Sequence, residues 1–326
     1  MRLIINDSTS PYFNLALEEH VLEEMDGEFI MLWRSSPSVI IGANQNTAEE
    51  IDAEYVRKNG IPVIRRQSGG GAVFHDLGNV NFTIIRGMKG GDFSNYALFT
   101  APVIEFLAAL GVRAELSGRN DLVIDGAKFC GNAQAVRRGR IMHHGCILYS
   151  ADLTPLGRAL RPPDDKLESH SVKSVRKRVT NIASHMADPI PVEEFFSRLS
   201  LFFMDHIGGM TLYALTREDI AATERLVREK YSTWEWNFGM SPPYNVKRRK
   251  RYEFGTVEAV LFVEGGVISD VRLFGDFFGL RDKSELENRM KNVRCDRPSL
   301  EAALSGTDVG DYIKGMTAED LLPLIC

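Results

Sequence analysis

Apolar residues along the chain change period several times, and each change marks an element. Arg2 to Ile5 reads as a short strand. Ser10 followed by Pro11 is a helix cap with proline at the first helical position. Phe13, Leu17, Val21 and Met25 recur every fourth residue, which predicts a helix over about 11–25 with that stripe inward. Phe29–Arg34 and Ser38–Ala43 read as strands joined through Ser35-Ser36-Pro37. Thr47-x-x-Glu50 has the form of a capping box, opening a helix that runs to Lys58 and stops at Gly60. Pro62–Arg66 and Asn79–Arg86 are strand-like and flank Gly69-Gly70-Gly71. A helix is predicted over about 93–110, ending at Gly111. A run of strands fills 112–150, with Asp125-Gly126 as a two-residue hairpin turn and Ile141–Tyr149 as a further strand. Helices are predicted at 192–206 and 216–231.

Near residue 240 the pattern shifts. Ser241-Pro242-Pro243 and the run Lys247–Arg251 look like a linker or the entry to a new unit. Strands at 252–263 and 267–274 then turn at Gly265-Gly266, and helices follow at about 283–292, 298–304, 308–314 and 317–324. Strands gather before helices, without regular βαβ alternation. The fold class is therefore α+β: a large domain of mixed β-sheets flanked by helices over 1–240, and a small α+β domain over 247–326.

Composition agrees. The 326 residues suit two domains, and 44% hydrophobic with 25% charged residues is globular. The net charge, 39 − 44 = −5, argues against a nucleic-acid partner, because phosphate neutralisation needs a basic surface. No apolar run has membrane-span length and the N-terminus carries no signal-peptide pattern, so a cytoplasmic protein with no membrane partner is expected. Cys130, Cys146, Cys295 and Cys326 form no C-x-x-C pair and are expected to be free thiols.

The chemistry concentrates in two segments. Arg65-Arg66-Gln67-Ser68-Gly69-Gly70-Gly71 joins fork-shaped donors to a backbone able to approach a ligand closely, which suits an anion. It is neither a P-loop nor a G-x-G-x-x-G turn. A glycine-rich hairpin with surface arginines is the competing reading. Lys128 stands beside the Asp125-Gly126 turn, among Phe129, Cys130, Gly131 and Ala133. It is either a solvated side chain or a cation aimed into a cleft. His143 and His144 are consecutive on a strand, so one of them faces the cleft, and His144 is favoured. The basic run 247–251 either attracts an acidic carrier or forms a solvated interdomain surface.

Four stretches taken together, RRQSGGGAVFHDLGNVNFT, SGRNDLVIDGAKFCGNA, HHGCILYSADL and SVRKRVTNI, resemble the lipoate–protein ligase A family, one of the biotin and lipoate ligases. The likeness is strong over roughly 10–185, and Trp234–Gly239 and Gly275–Phe278 resemble that family's linker and C-terminal domain. The resemblance implies ATP-dependent, Mg²⁺-assisted activation of lipoic acid to lipoyl-AMP. The lipoyl group then passes to a lysine of an apo lipoyl-domain protein or glycine-cleavage H protein. It implies Lys128 as the catalytic residue bridging lipoate carboxylate and α-phosphate. Lipoate would be bound by Trp33, Arg66, Ser68, Gly69, Gly70, Gly71, Ala72, His75 and His144. The nucleotide would be held by Arg66, Gly71, Val73, Phe74, Asn79, Asn81, Asp121, Lys128, Arg178, Val179 and Thr180, with Asp121 also toward Mg²⁺. The segment 174–181 resembles the adenylate-binding loop. Cys130 stands where some members carry a small hydroxyl residue.

The bottom-up chemistry points the same way. A carboxylate attacking a phosphate brings two anions together, and cations must offset their repulsion. The alternatives are a cysteine-dependent octanoyl or lipoyl transferase, a biotin ligase and a non-catalytic lipoate binder. The transferase would need a thiol in the loop 117–120, which has none, so Cys130 is its candidate near the lysine. The biotin-ligase Gly-Arg-Gly-Arg loop is absent.

Overall fold

The computed structural model describes residues 1–160, 179–239 and 244–326. An eight-stranded mixed sheet organises the first two-thirds of the chain. Its strands are β1 (Arg2–Asn6), β2 (Phe29–Trp33), β6 (Asn79–Gly87), β7 (Glu115–Ser117), β8 (Asp121–Ile124), β9 (Ala127–Arg137), β10 (Arg140–Leu148) and β11 (Thr211–Leu212). Their order is β11-β1-β2-β6-β10-β9-β8-β7. β1 runs parallel to β2 and β11, and the remaining pairs are antiparallel. A three-stranded sheet, β3 (Ser38–Ile41), β4 (Val63–Arg65) and β5 (Val73–His75), stands beside it in the order β4-β3-β5.

Each face of the large sheet is covered. Helix α4 (Tyr96–Ala109) and the helix Val192–His206 pack on Leu32, Phe82 and Ile147. Helix α1 (Pro11–Glu23) packs on the other face over Met31, Trp33 and Met142. Ser10 caps α1 by accepting from the Phe13 amide, with Pro11 at the first position as expected. The hairpin turn is of the I′ kind, since Asp125 and Gly126 both have positive φ (51° and 78°).

One predicted helix is two pieces. α2 (Thr47–Glu50) and α3 (Ala53–Lys58) are separated by extended Ile51, which bridges Leu160. Thr47 is not the cap. Its hydroxyl donates to the Asn237 carbonyl and accepts from Arg65, while Asp52 caps α3 at the Tyr55 amide. Tertiary partners for the hydroxyl outweigh the local motif.

The C-terminal unit has its own core. β12 (Val246–Tyr252), β13 (Gly255–Glu264) and β14 (Val267–Gly275) form an antiparallel sheet covered by helices Lys283–Met290, Arg297–Leu304 and Ala318–Ile325. The expected helix at 308–314 is only a single 3₁₀ turn, Val309–Asp311. Of the two readings of the basic run, linker or entry to a new unit, the second holds: it forms strand β12, the first of this sheet. Lys247 pairs with Glu258 at 3.3 Å and Arg251 lies 3.8 Å from Asp276, so part of its charge is answered within the chain. Among the described residues no helix is long and apolar enough to cross a membrane.

Candidate functional site

Register in the large sheet builds the floor of a cavity. Trp33 pairs with Asn81, Asn81 with Cys146, Cys146 with Gly131, and Gly131 with Asp121. These residues form one row across β2, β6, β10, β9 and β8. Four strand spacings make the row roughly 19 Å long. The neighbouring row contains Thr83, His144 and Ala133. Leu15 of α1, Ile40 of β3 and the segment Gly70–Val73 complete the walls. Chemistry is graded along this cavity. Leu15, Trp33 and Ile40 of the lining are buried, whereas Lys128 and Asn120 are half-buried and Gly71 is exposed.

Lys128 lies on β9 with its Nζ 2.7 Å from Asp121 Oδ1, and both side chains remain more than a third exposed. A Cβ on Gly131 would stand 2.9 Å from that Nζ, so the absence of a side chain there leaves the ammonium its path. The Lys128 carbonyl accepts from the Thr180 amide, and Val179 bridges Lys128 in parallel. Val179 and Thr180 are thus brought beside the lysine. Arg178 and most of the 174–181 loop lie outside the described residues.

The two arginines serve different ends. Arg65 is fully buried. Its guanidinium donates to the carbonyls of Gly42, Ala43, Gln45, Trp236 and Asn237 and to Thr47. It is a structural cation with no access to the cavity. Arg66 lines the cavity and donates to Ser68 Oγ and the carbonyls of Ile40, Gly69 and Gly71, tying the glycine loop to its own base. Burial pulls both guanidinium groups down to about 10, leaving them charged at neutral pH.

His144 points into the cavity and His143 into the core, where it stacks on Phe99 at 4.9 Å. His144 connects Ser68 Oγ (2.7 Å from Nε2) to Glu18 (3.0 Å from Nδ1). Glu18 also accepts from Thr83, and Thr83 accepts from Trp33 Nε1. This chain ties the glycine loop, α1 and the sheet floor together. Glu18 and Thr83 were missed from the sequence. The available signal was a carboxylate on the face of α1 that also carries buried Leu15 and Leu22. His75 lines the cavity edge-on to Trp33, and burial holds its imidazole down to about 3, hence neutral.

Trp33, Arg66, Gly70, Gly71, Ala72, Val73, His75, Asn81, Lys128 and His144 are therefore brought together. Ser68 is buried behind His144. Phe74 turns into the core with Val39 and Val63, opposite Val73 and His75 on the same strand. Asn79 is fully buried, receiving the Asp76 amide and donating to Cys146 Sγ. Gly69 faces the C-terminal unit rather than the cavity. The thiol lining the cavity is Cys146, not Cys130. Cys130 is in the core with Leu122 and Phe129, and burial pushes both thiols up, Cys146 to about 12. Neither is poised as a thiolate.

Comparison with known proteins shows the family. Residues 10–204 match the lipoyl protein ligase A/B catalytic domain and residues 241–325 the bacterial lipoate protein ligase C-terminus. Lipoate–protein ligase LplJ of Bacillus subtilis is 44% identical over 325 residues, 98% of this chain and 97% of that protein. This chain belongs to the lipoate–protein ligase family. It is accordingly an enzyme of the ligase class, and the transferase, biotin-ligase and non-catalytic readings fall away. Among solved structures, the bipartite lipoate ligase of Thermoplasma acidophilum, described with its E2 lipoyl domain, is 32% identical with a TM-score of 0.67. It covers 75% of this ligase-family chain and 98% of its own. A lipoate–protein ligase A bound with ATP is 30% identical with a TM-score of 0.63, over 73% and 98% of the two chains.

Proposed function

We propose that this cavity activates lipoate with ATP and hands the lipoyl group to a lysine of an apo lipoyl-domain protein or glycine-cleavage H protein, in the cytoplasm. The observation carrying the reading is the cross-strand row. It leads from buried Trp33 to the half-exposed Lys128–Asp121 pair and offers an apolar berth and a cationic mouth in one elongated cavity. A dithiolane and its alkyl chain lie against Leu15, Trp33, Ile40 and Val73, where each buried methylene contributes about 0.8 kcal/mol. The carboxylate then reaches Lys128. Asn81, whose buried amide oxygen and nitrogen have no partner among the described residues, supplies a donor and an acceptor to a polar part of the ligand.

In the first step a carboxylate oxygen attacks the α-phosphorus, the bond to the bridging oxygen breaks, and pyrophosphate leaves. Lys128 lies between the two anions and offsets the charge that develops. Gly70 and Gly71 let the backbone come close to the phosphate. In the second step the carrier amine attacks the acyl carbonyl and AMP departs. Asp121, whose Oδ1 pairs with Lys128 at 2.7 Å, has a second hard carboxylate oxygen with which it would hold a Mg²⁺ ion. Such an ion would lower the charge on the triphosphate. Four free cysteines suit a reducing compartment. The separate core of residues after 246 supports a division into a catalytic domain over 1–240 and an accessory domain over 247–326. Lipoate-dependent exchange of pyrophosphate into ATP tests the reading, and absence of exchange with the whole chain overturns it.

A further inference from the structure

The glycine loop has two sides, and the cavity uses only one. On the other side stands the segment Gly275–Gly279, which begins at the last residue of β14. A Cβ on Gly69 would collide with the Phe277 carbonyl oxygen, and one on Gly70 would lie 3.3 Å from Phe278 Cζ. Consecutive side chains of this segment part company. Phe277 is fully buried in the core of the C-terminal unit, whereas Phe278 projects to the glycine loop, with its ring 6.1 Å from Tyr96. The Arg119 guanidinium lies 4.6 Å above the Phe278 ring and donates to the carbonyls of Phe254 and Asp276.

The segment is pinned at both ends. Gly275, at φ 151°, and Gly279 approach the carbonyls of Thr256 and Tyr312 too closely for a side chain. The Gly275 amide donates to the Asn44 carbonyl, Asn44 Nδ2 donates to the Phe277 carbonyl at 3.2 Å, and the Lys314 amide donates to the Phe278 carbonyl at 2.7 Å.

We infer that Phe278 is a positioning residue for the first half-reaction: it braces Gly69 and Gly70 from behind, so that the loop amides hold the phosphate geometry. A loop with positive φ at Gly70 has many accessible conformations when unsupported. Its contacts from Arg66 close it from the base alone. The ring of Phe278 adds a wall belonging to a different folding unit. Adenylation, which must align three charged groups, needs that wall. Transfer from an adenylate already formed needs it less.

The inference rests on the ligase reading, and the experiment separates the two. Phe278→Ala, Phe278→Leu and the wild-type chain are each assayed for lipoate-dependent ATP–pyrophosphate exchange and for transfer from synthetic lipoyl-AMP to an apo lipoyl domain. The expected result is at least a tenfold loss of exchange kcat for Phe278→Ala, partial recovery for Phe278→Leu, and transfer within threefold of wild type for both. Retained transfer also reports that the variants are folded. Exchange that is unchanged or faster in Phe278→Ala overturns the brace, as does an equal loss in both half-reactions. If wild type itself shows no exchange, the ligase reading fails instead.

Discussion

Replacing Lys128 by alanine separates a catalytic role from a structural one, because the structure predicts opposite magnitudes for the two. The ammonium contacts Asp121 at 2.7 Å, but both partners are more than a third exposed. An ion pair so placed contributes about 0–1 kcal/mol to folding. For a domain of this size that is a fall in Tm of at most about 4 °C. The same ammonium, held at the cavity mouth across Gly131, is positioned to meet the charge of the first step. Removing one preorganised donor of that kind lowers a rate by roughly 10²–10³, or about 2.7–4 kcal/mol of transition-state stabilisation. Lys128→Ala is therefore expected to lose lipoate-dependent pyrophosphate exchange by at least 10² while melting within about 4 °C of wild type. Lys128→Arg keeps the charge but replaces a point charge with a planar fork, and is expected to fall between the two. Exchange within tenfold of wild type would refute the assignment. A large drop in melting temperature would show that the activity loss came through the fold.

Gly131→Ala places a methyl group 2.9 Å from the Lys128 ammonium, and the flexible side chain must move aside. A five- to tenfold loss of exchange kcat is expected from steady-state kinetics, with the melting temperature nearly unchanged, as about 1 kcal/mol of mispositioning implies. Glu18→Ala leaves His144 Nδ1 and the Thr83 hydroxyl without their buried acceptor, which should destabilise the protein by about 2–3 kcal/mol in denaturant titration, while Glu18→Gln restores most of it. An alanine variant as stable as wild type would count against the Glu18 chain. Burial pushes the Glu50 carboxyl up to about 7, against the pull of Arg249. Its folded pKa lies above its unfolded one, so its contribution is present below pH 4.5 and is lost as pH rises through 7. Stability should decline by up to about 1.4 kcal/mol per pH unit across that window, and Glu50→Gln should remove the decline in melts between pH 5 and 8.

Much of the architecture is encoded locally. Whereas α1 ends at Glu23, short of Met25, and is buried beyond the Leu17–Val21 stripe, the Ser10-Pro11 cap and the Asp125-Gly126 turn depend on neighbouring residues only, and each forms where its pattern lies. Alternation along β10 sends His144 to the cavity and His143 to the core for the same reason. Local patterns mislead where a distant partner competes. Thr47 carries the form of a cap but bonds Asn237, 190 residues away, and the charge run of β12 reads as either a linker or the entry to a new unit until β13 pairs with it.

The sequence by itself determined the period of each element, its turns and the residue types able to handle two anions. Tertiary structure decided which of those residues meet. The row Trp33–Asn81–Cys146–Gly131–Asp121 exists only because five strands pair in one register, and a shift of one residue would turn each side chain to the opposite face. Register likewise put Cys146 rather than Cys130 in the cavity, and packing assigned Arg65 to six buried acceptors while Arg66 kept the site. The face of the glycine loop that meets Phe278 has the same origin. Its contacts join segments some 200 residues apart, and no pattern within either segment specifies the other.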